Sequence, residues 1–214
     1  FAQIRKVLNE HPAIEYKSAG LSDQQILQHI GASETAVEGI FFPDTYYFIK
    51  GSSDLDILQR AYKTMQNHLQ NYWSERVESL PLNTPYEALI LASIIEKETG
   101  AESDRAEIAG VFINRLRKGM KLQTDPTVIY GLGEQFDGNL RKKDLLADQE
   151  YNTYTRAGLP PTPISLPSLA SIRAALNPAE TDALYFVAKG NGESEFSTNL
   201  ADHNKAVNKY QKQQ

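Results

Sequence analysis

The segment from Pro85 to Thr99 is predicted to form a helix with an acidic residue on its apolar side. At 100° per residue, Glu98 shares a face with Ile94 and Ile95, which precede it by four and three positions. Burial among aliphatic side chains disfavours a charged carboxylate, and the negative end of the helix dipole adds to this effect. Both raise the pKa of Glu98 above its reference of about 4.3. The spacing therefore predicts a general acid that donates a proton near neutral pH.

Structural roles also fit the acidic residues of this helix. Glu98 could extend into solvent or pair with Arg105. The helical wheel turns Glu96 and Lys97 away from the apolar side, which is typical of a solvated face. Glu87 fits a capping box at the start of the helix.

Later segments contain many groups of the kinds that bind sugars, namely planar polar side chains and aromatic rings. Residues of these types are Gln123, Asp125, Tyr130, Tyr151, Asn152, Tyr154, Asn199 and Asn204. Each alone is uninformative, because Asn and Asp often serve turns and tyrosines often pack with a wet hydroxyl. His203 could help at such a site, and a capping or structural role fits it equally well.

The composition excludes several other chemistries. The 214 residues include no cysteine, which excludes disulfides, zinc–thiolate sites and thiol nucleophiles. The four histidines are too scattered to predict a metal site, and there is no nucleophile elbow, Walker lysine or dinucleotide-binding glycine motif. A net charge of −5 argues against a nucleic-acid partner but not against a neutral glycan. No run approaches the roughly 18–20 apolar residues of a membrane span, and we expect a chain that starts at Phe1 to be a fragment.

Local signals predict an α+β fold that is mainly helical. Helices are expected at residues 1–8, 22–28, 53–77, 85–99, 104–118, 169–176 and from about 201. The expected N-caps are Ser22, Thr84 and Ser103, and the expected end signals are Gly31, a left-handed Gly100 and Gly119.

The predicted β elements are few and short. The aromatic run 39–48 suggests strand, turn, strand, and residues 184–189 and 193–198 suggest a hairpin around Gly190-Asn191-Gly192. Residues 120–165 are predicted mostly as loop, and a loop of that length is usually functional or hides a missed element.

Longer motifs resemble those of the YceG-like family over nearly the whole chain from about residue 38. The matching segments are residues 38–46, 92–99, 111–116, 122–131, 151–154, 158–161 and 198–204. The resemblance implies a catalytic domain at 38–214, preceded at 1–37 by the truncated remainder of a LysM-like subdomain. It also implies a bacterial protein with one N-terminal inner-membrane helix outside this sequence and a catalytic part in the periplasm.

The activity implied by this resemblance is endolytic peptidoglycan transglycosylation without a cofactor or metal. The family's catalytic glutamate lies in the motif Glu96-Lys97-Glu98-Thr99, and we assign it to Glu98. The enzyme would cleave the bond between N-acetylmuramic acid and N-acetylglucosamine in nascent strands and leave 1,6-anhydro ends. The sugar's own C6 hydroxyl is then the nucleophile, so a second enzymatic carboxylate is not needed.

The implied contacts follow from residue type and motif membership. Candidates for holding the glycan are Gln123, Asp125, Tyr151, Asn152, Tyr154 and Asn199. The implied partners are peptidoglycan glycan strands and the cell-wall synthesis machinery, with no nucleic acid.

Three other functions stay open at the level of sequence. A pyridoxal-phosphate-dependent aminodeoxychorismate lyase, an older label for this family, needs a Schiff-base lysine beside a phosphate-binding loop. Lys97 faces away from the apolar side, and no such loop accompanies it. A non-catalytic glycan-binding module would bind strands without turnover, and a hydrolase would leave reducing ends.

Overall fold

The structure, a computed structural model, describes residues 1–211 and is mainly helical with two small sheets. The helices are α1 (Ala2–Glu10), α2 (Asp23–Ile30), α3 (Asp54–Ser74), α4 (Pro85–Glu98), α5 (Glu102–Arg117), α6 (Asp125–Leu132), α7 (Lys142–Leu146), α8 (Leu169–Leu176) and α9 (Leu200–Tyr210). The strands are β1 (Ile14–Glu15), β2 (Ser52–Ser53), β3 (Tyr185–Ala188) and β4 (Ser194–Ser197). The predicted α+β class is confirmed, and residues 212–214 of the predicted catalytic domain lie outside the described residues.

Helix α4 lies at the centre of the core. Every residue from 88 to 95 is buried, as expected for a helix that is apolar on all sides. The Thr84 hydroxyl caps its start by accepting a hydrogen bond from the Glu87 N–H at 3.1 Å, and Pro85 occupies its first position. It packs most extensively against α8 and also contacts α3, α5 and α6. Glu98, the last residue of α4, is therefore positioned by a helix that is buried in the core.

The N-terminal segment joins the rest of the chain through a short parallel pairing. Ile14 of β1 pairs with Ser52 of β2. Buried Asp54 accepts hydrogen bonds from the backbone N–H groups of Lys17 at 2.9 Å and Ser18 at 3.2 Å. Helix α2 packs against α3. The domain boundary at residue 37 stays a prediction.

The predicted strand, turn, strand at 39–48 is wrong. Ile40, Phe41 and Phe42 are buried one after another, whereas a half-buried strand would alternate. The Phe42 N–H donates to the Ala61 carbonyl of α3 at 3.1 Å, so no partner strand is needed. The run is an irregular segment that anchors consecutive aromatic side chains in the core.

The predicted loop at 120–165 contains missed helices. Helix α6, a 3-10 turn at Gly133–Gln135 and helix α7 all lie within it. Thr124, Asp125 and Pro126 form the same type of start signal as Thr84 and Pro85, with a proline in the first turn. The segments between these helices are irregular, as predicted.

Several predicted helix ends are also wrong. Helix α5 begins at Glu102, and the Ser103 hydroxyl donates to the Asp104 side chain instead of capping the helix. Gly100 is not left-handed, because Thr99 is extended and its hydroxyl accepts the N–H of Ala101 at 2.9 Å. The capping box of α4 is incomplete, since the carboxylate of Glu87 accepts from the N–H of Asn83. Helix α3 ends three residues before the predicted position 77.

The C-terminal part contains the predicted hairpin and terminal helix. Strands β3 and β4 pair antiparallel, with Phe186 opposite Phe196. Helix α9 begins at its Asn199 cap and packs against both strands. Strand β3 also contacts α5, which brings the hairpin to the end of α4. Within residues 1–211, no helix has both the length and the apolar character required to cross a bilayer.

Candidate active site

A cavity of about 560 Å³ opens beside the C-terminal end of α4. Its walls come from α5, the start of α6, the loop around Tyr154, the β3–β4 hairpin and α9. The lining residues that carry polar side chains are Glu98, Arg115, Gln123, Thr124, Asp125, Tyr154, Tyr185, Ser194, His203, Asn204 and Gln211. A second cavity, about 500 Å³, lies on another part of α5, but its carboxylates are exposed. The cavity at Glu98 is therefore the candidate active site.

Glu98 is partly buried in the wall of this cavity. The hydroxyl of Thr124 donates a hydrogen bond to its Oε1 atom. Burial raises the pKa of Glu98 to about 7, the negative charge of Asp125 adds to the rise, and the Thr124 hydrogen bond opposes it. The predicted rise in pKa is thus present, and the neighbouring carboxylate is a cause that the sequence did not indicate.

Asp125 and Tyr154 form a polar pair next to Glu98. The Tyr154 hydroxyl donates to Asp125 Oδ1 at 2.5 Å. Burial and this carboxylate both raise the pKa of Tyr154, so its hydroxyl stays protonated at neutral pH. The tyrosine ring thereby lines the cavity in a fixed orientation.

Arg115 brings a buried positive charge to the cavity wall. Its Nε donates to the Leu184 carbonyl at 2.7 Å, and Nη1 donates to the carbonyls of Lys121 and Leu122 and to Gln123 Oε1. The guanidinium lies 5.0 Å from the ring centre of Tyr185. Burial lowers its pKa, but an arginine remains charged in proteins.

His203 closes the side of the cavity formed by α9. Its ring stacks on Tyr185 at 5.1 Å, and within the described residues its Nδ1 is buried without a hydrogen-bond partner. Burial, followed by the charge of Arg115, lowers the pKa of His203. The imidazole is therefore neutral at pH 7.

Four of the predicted site residues meet in this cavity, and three do not. Glu98, Gln123, Asp125 and Tyr154 line it together. The other three do not line the cavity and instead hydrogen-bond to other parts of the chain: Tyr151, Asn152 and Asn199. Tyr151 bonds Thr162 and packs edge-on against Tyr130, and Asn199 caps α9.

Asn152 is fully buried and its hydrogen-bonding capacity is used internally. Its Nδ2 donates to carbonyl groups at the end of α7, including Ala147 at 2.7 Å, and its Oδ1 accepts from the Tyr154 N–H at 2.8 Å. This side chain shapes the loop that presents Tyr154.

The predicted orientation of Glu96 is wrong. Its carboxylate is partly buried and accepts hydrogen bonds from the N–H and hydroxyl of Ser168 and from the hydroxyl of Ser171. The wheel failed here because α8 covers the side of α4 that was assigned to solvent. Lys97 is exposed, as predicted.

Sequence reasoning missed Thr124, Arg115 and Tyr185. Arg115 follows Val111 and Phe112 by four and three positions, so the wheel used for α4 would have placed it on the buried stripe of α5. Tyr185 and Thr124 gave no comparable signal, because their roles depend on contacts between distant segments.

Comparisons with known proteins agree with this architecture. The family model described as YceG-like matches residues 1–209. An endolytic murein transglycosylase of Bacillus subtilis is 45% identical over 175 residues, which cover 81% of this chain and 48% of that protein. One of Streptococcus pneumoniae is 33% identical over 177 residues, which cover 80% of this chain and 32% of that protein. The chain thus spans about half or less of these relatives' length.

A solved structure is also similar. The crystal structure of a putative YceG-like protein from Listeria monocytogenes matches with a TM-score of 0.73 and 35% identity, covering 95% of this chain and 66% of that one. Sequence and fold therefore agree over nearly all of the described residues, and the chain belongs to the YceG-like family.

Proposed function

We propose that this chain is the catalytic part of an endolytic peptidoglycan transglycosylase, with Glu98 as its acid and base. The observation that carries the proposal is a carboxyl group with a pKa of about 7 in the wall of an open cavity. Such a group holds a proton near neutral pH and is basic enough, once ionised, to take one back. The names of the relatives, endolytic murein transglycosylases, identify peptidoglycan as the substrate to test.

The proposed reaction has two proton transfers through Glu98. The protonated acid donates to the oxygen that links N-acetylmuramic acid to N-acetylglucosamine, and positive charge develops at the muramic C1. The C6 hydroxyl of the same sugar attacks C1, and the Glu98 carboxylate takes its proton. A 1,6-anhydro end and a new hydroxyl end result.

The remaining cavity walls offer contacts for sugar hydroxyl and amide groups. Gln123 is exposed at the rim, and the rings of Tyr154 and Tyr185 provide flat faces. Arg115 adds a buried donor group. We assign the glycan contacts among the predicted residues to Gln123, Asp125 and Tyr154. Contacts through Tyr151 or Asn199 would require substrate beyond this cavity, and the buried Asn152 acts only through the loop that it shapes.

Hydrolysis is the second candidate, because Asp125 is a second carboxylate in the same cavity. Glycosidases that use water or a covalent intermediate employ a pair of carboxyl groups. Asp125 could then activate water while Glu98 serves as the acid. The chemical nature of the new ends separates the two reactions.

The lyase and binding-module alternatives are less well supported. A pyridoxal-phosphate enzyme needs a lysine at the reacting centre, but no described residue that lines the Glu98 cavity is a lysine. A binding module has no need for a carboxyl group with a shifted pKa.

The wider setting of this activity is part of the proposal. An enzyme that acts on nascent glycan strands works outside the cytoplasmic membrane and beside the cell-wall synthesis machinery. We propose periplasmic exposure with a single inner-membrane anchor in the longer protein.

Digestion of purified peptidoglycan, with mass analysis of the products, tests the proposal. We expect internal cleavage with anhydro-muramic ends, and a loss of at least about 100-fold in rate for Glu98→Gln. Glu107→Gln, an exposed change on α5, is the matched control and should leave the rate unchanged.

Three outcomes would contradict the assignment. Reducing ends would favour hydrolysis, and binding without cleavage would favour a non-catalytic module. If folded Glu96→Gln lost cleavage while Glu98→Gln retained it, the wrong glutamate would have been chosen.

A further inference from the structure

Thr124 stands at the N-cap of α6 but does not cap that helix. Threonine at this position normally accepts a hydrogen bond from an N–H group of the first turn. Here no side-chain cap bond forms, and the hydroxyl donates instead to Glu98 Oε1. A side chain of the capping type is thus directed at the candidate catalytic acid.

Two other buried threonines hold Thr124 in place. Its N–H donates to Thr153 Oγ1 at 3.1 Å, and its carbonyl accepts from Thr127 Oγ1 at 2.8 Å. The hydroxyls of Thr127 and Thr153 lie 2.8 Å apart. All three residues are at most 2% exposed. Because buried polar networks that are fully satisfied are rigid, Thr124 has little freedom to turn away.

The hydrogen bonds of this network show where the Thr124 hydroxyl proton goes. Thr127 donates to the Thr124 carbonyl, and Thr153 accepts from the Thr124 N–H and donates either to the Thr127 hydroxyl at 2.8 Å or to the Thr124 carbonyl at 3.4 Å. The hydroxyl proton of Thr124 is left for Glu98.

The two oxygens of Glu98 are therefore not equivalent. Oε1 already accepts the Thr124 hydrogen bond. Within residues 1–211, Oε2 has no hydrogen-bond partner. It is not one of the fully buried polar atoms without a partner, so it is accessible from the cavity. A proton on the neutral acid consequently resides on Oε2, which faces the open cavity.

We propose that Thr124 is a positioning residue that fixes Glu98 so that Oε2 carries and exchanges the catalytic proton, and that Thr127 and Thr153 hold Thr124 for this task. The proposal rests on Glu98 as the acid in the proposed function. In this proposal the Thr124 hydroxyl keeps its hydrogen bond to Oε1 of Glu98 during both proton transfers.

Other charged and titratable groups also face the site. They are Asp125 on α6, Tyr154 in the following loop, Arg115 on α5, Tyr185 on β3 and His203 on α9. The variants below leave all five unchanged, so any shift in pH dependence is attributable to the lost hydroxyl.

The test compares Thr124→Val, which removes the hydroxyl at nearly constant shape, with Thr124→Ser, which retains it. We expect Thr124→Val to lower kcat about tenfold, with a change in KM of no more than about twofold. Thr124→Ser should restore most of the rate. Thr153→Val, which does not touch Glu98, should lower kcat by a smaller factor. Thr64→Val on α3, where the hydroxyl donates to the Arg60 carbonyl and lies outside the Glu98 cavity, is the control.

The pH dependence separates positioning from a merely structural role. The Thr124 hydrogen bond favours the charged form of Glu98, so its loss raises the pKa of Glu98 further. Activity that requires the protonated acid falls as pH rises through this pKa. The alkaline limb of the kcat profile should therefore move to higher pH in Thr124→Val and return in Thr124→Ser, whereas partial unfolding would lower the rate at all pH values.

A second readout does not depend on turnover. Carboxyl ¹³C NMR titration of Glu98, assigned with Glu98→Gln, should give a higher pKa in Thr124→Val than in the unmodified chain. An unchanged or lower pKa, or an unmoved alkaline limb, would overturn the proposal. If the unmodified chain cleaved no glycan, the proposed function would fail, and the NMR titration would still decide the role of Thr124.

Discussion

At the scale of single residues, the raised pKa of Glu98 makes the folding stability of the chain depend on pH. This pKa is raised in the folded state, so folding favours the protonated form. The stability that this provides is fully present below the unfolded pKa of 4.5 and is lost as pH rises to about 7. Above pH 7 Glu98 carries a partly buried negative charge beside Asp125. The proposed proton-transfer group is thus a source of instability at neutral pH, where the proposed function requires it.

Glu98→Gln should therefore stabilise the chain in a pH-dependent way. The glutamine does not titrate, so its advantage over the unmodified chain should be small below pH 4.5 and grow up to about pH 7. Above that range it should reach a plateau of at most about 3 kcal/mol. Urea unfolding at pH 4 and pH 8 measures the difference. An equal effect at both pH values would show that the pKa of Glu98 is not raised.

At the scale of elements, Glu96 connects α4 to the start of α8. Its Oε2 atom accepts three hydrogen bonds from Ser168 and Ser171, where α8 has unsatisfied N–H groups. Burial alone would raise the pKa of Glu96, but the bonds from these serines, helped by Arg105, lower it. Glu96 therefore fixes the last turn of α4 only two residues before Glu98.

Glu96→Ala should destabilise the chain by about 2 kcal/mol, because the serine donors lose their acceptor. Since the pKa of Glu96 is lowered, its contribution is present above the unfolded pKa of 4.5 and is lost as pH falls further. Denaturant unfolding at pH 7 and pH 3 should show a smaller difference at the lower pH. Glu102→Ala, at the exposed start of α5, is the control.

How well each element could be predicted depended on whether its signals were local. Helix α2 has the Ser22 capping box and a left-handed Gly31, and both can be read from neighbouring residues. The 39–48 run was misread because consecutive burial depends on contacts with α3 and the loop at 163–165. Periodicity predicted that Glu98 lies on the apolar side of α4, although α4 is in fact buried on nearly all sides. Its partner Thr124 is 26 positions away, and no local pattern relates the two.

At the scale of the whole molecule, the cavity depends on how closely α5 approaches the segment before β3. Gly110 allows this approach, because a Cβ atom there would lie 2.8 Å from the Ala179 carbonyl oxygen and 2.7 Å from Thr181 Cγ2. The same two segments meet again where Arg115 bonds the Leu184 carbonyl. Close packing at Gly110 therefore helps to set the distance between two walls of the site.

Gly110→Ala should destabilise the chain by about 2 kcal/mol, even though alanine is the better helix former. The clash should also separate α5 from β3 and reduce glycan cleavage. Gly100→Ala, where no atom of residues 1–211 other than the adjoining residues lies within 4 Å of the added Cβ, should leave both properties nearly unchanged. Thermal unfolding and the cleavage assay measure the two effects. Equal behaviour of the two variants would show that the approach at Gly110 is not tight.

Gln123 has a backbone conformation that few side chains adopt readily, with φ of +54°. For a residue other than glycine this left-handed geometry costs about 1 kcal/mol. Glycine would relieve that cost, yet this exposed position at the rim has an amide whose oxygen accepts from Arg115. Under the proposed function, thermostability and glycan recognition would therefore place opposite demands on this one position, and a search for more robust variants would tend to select against the rim of the proposed catalytic groove.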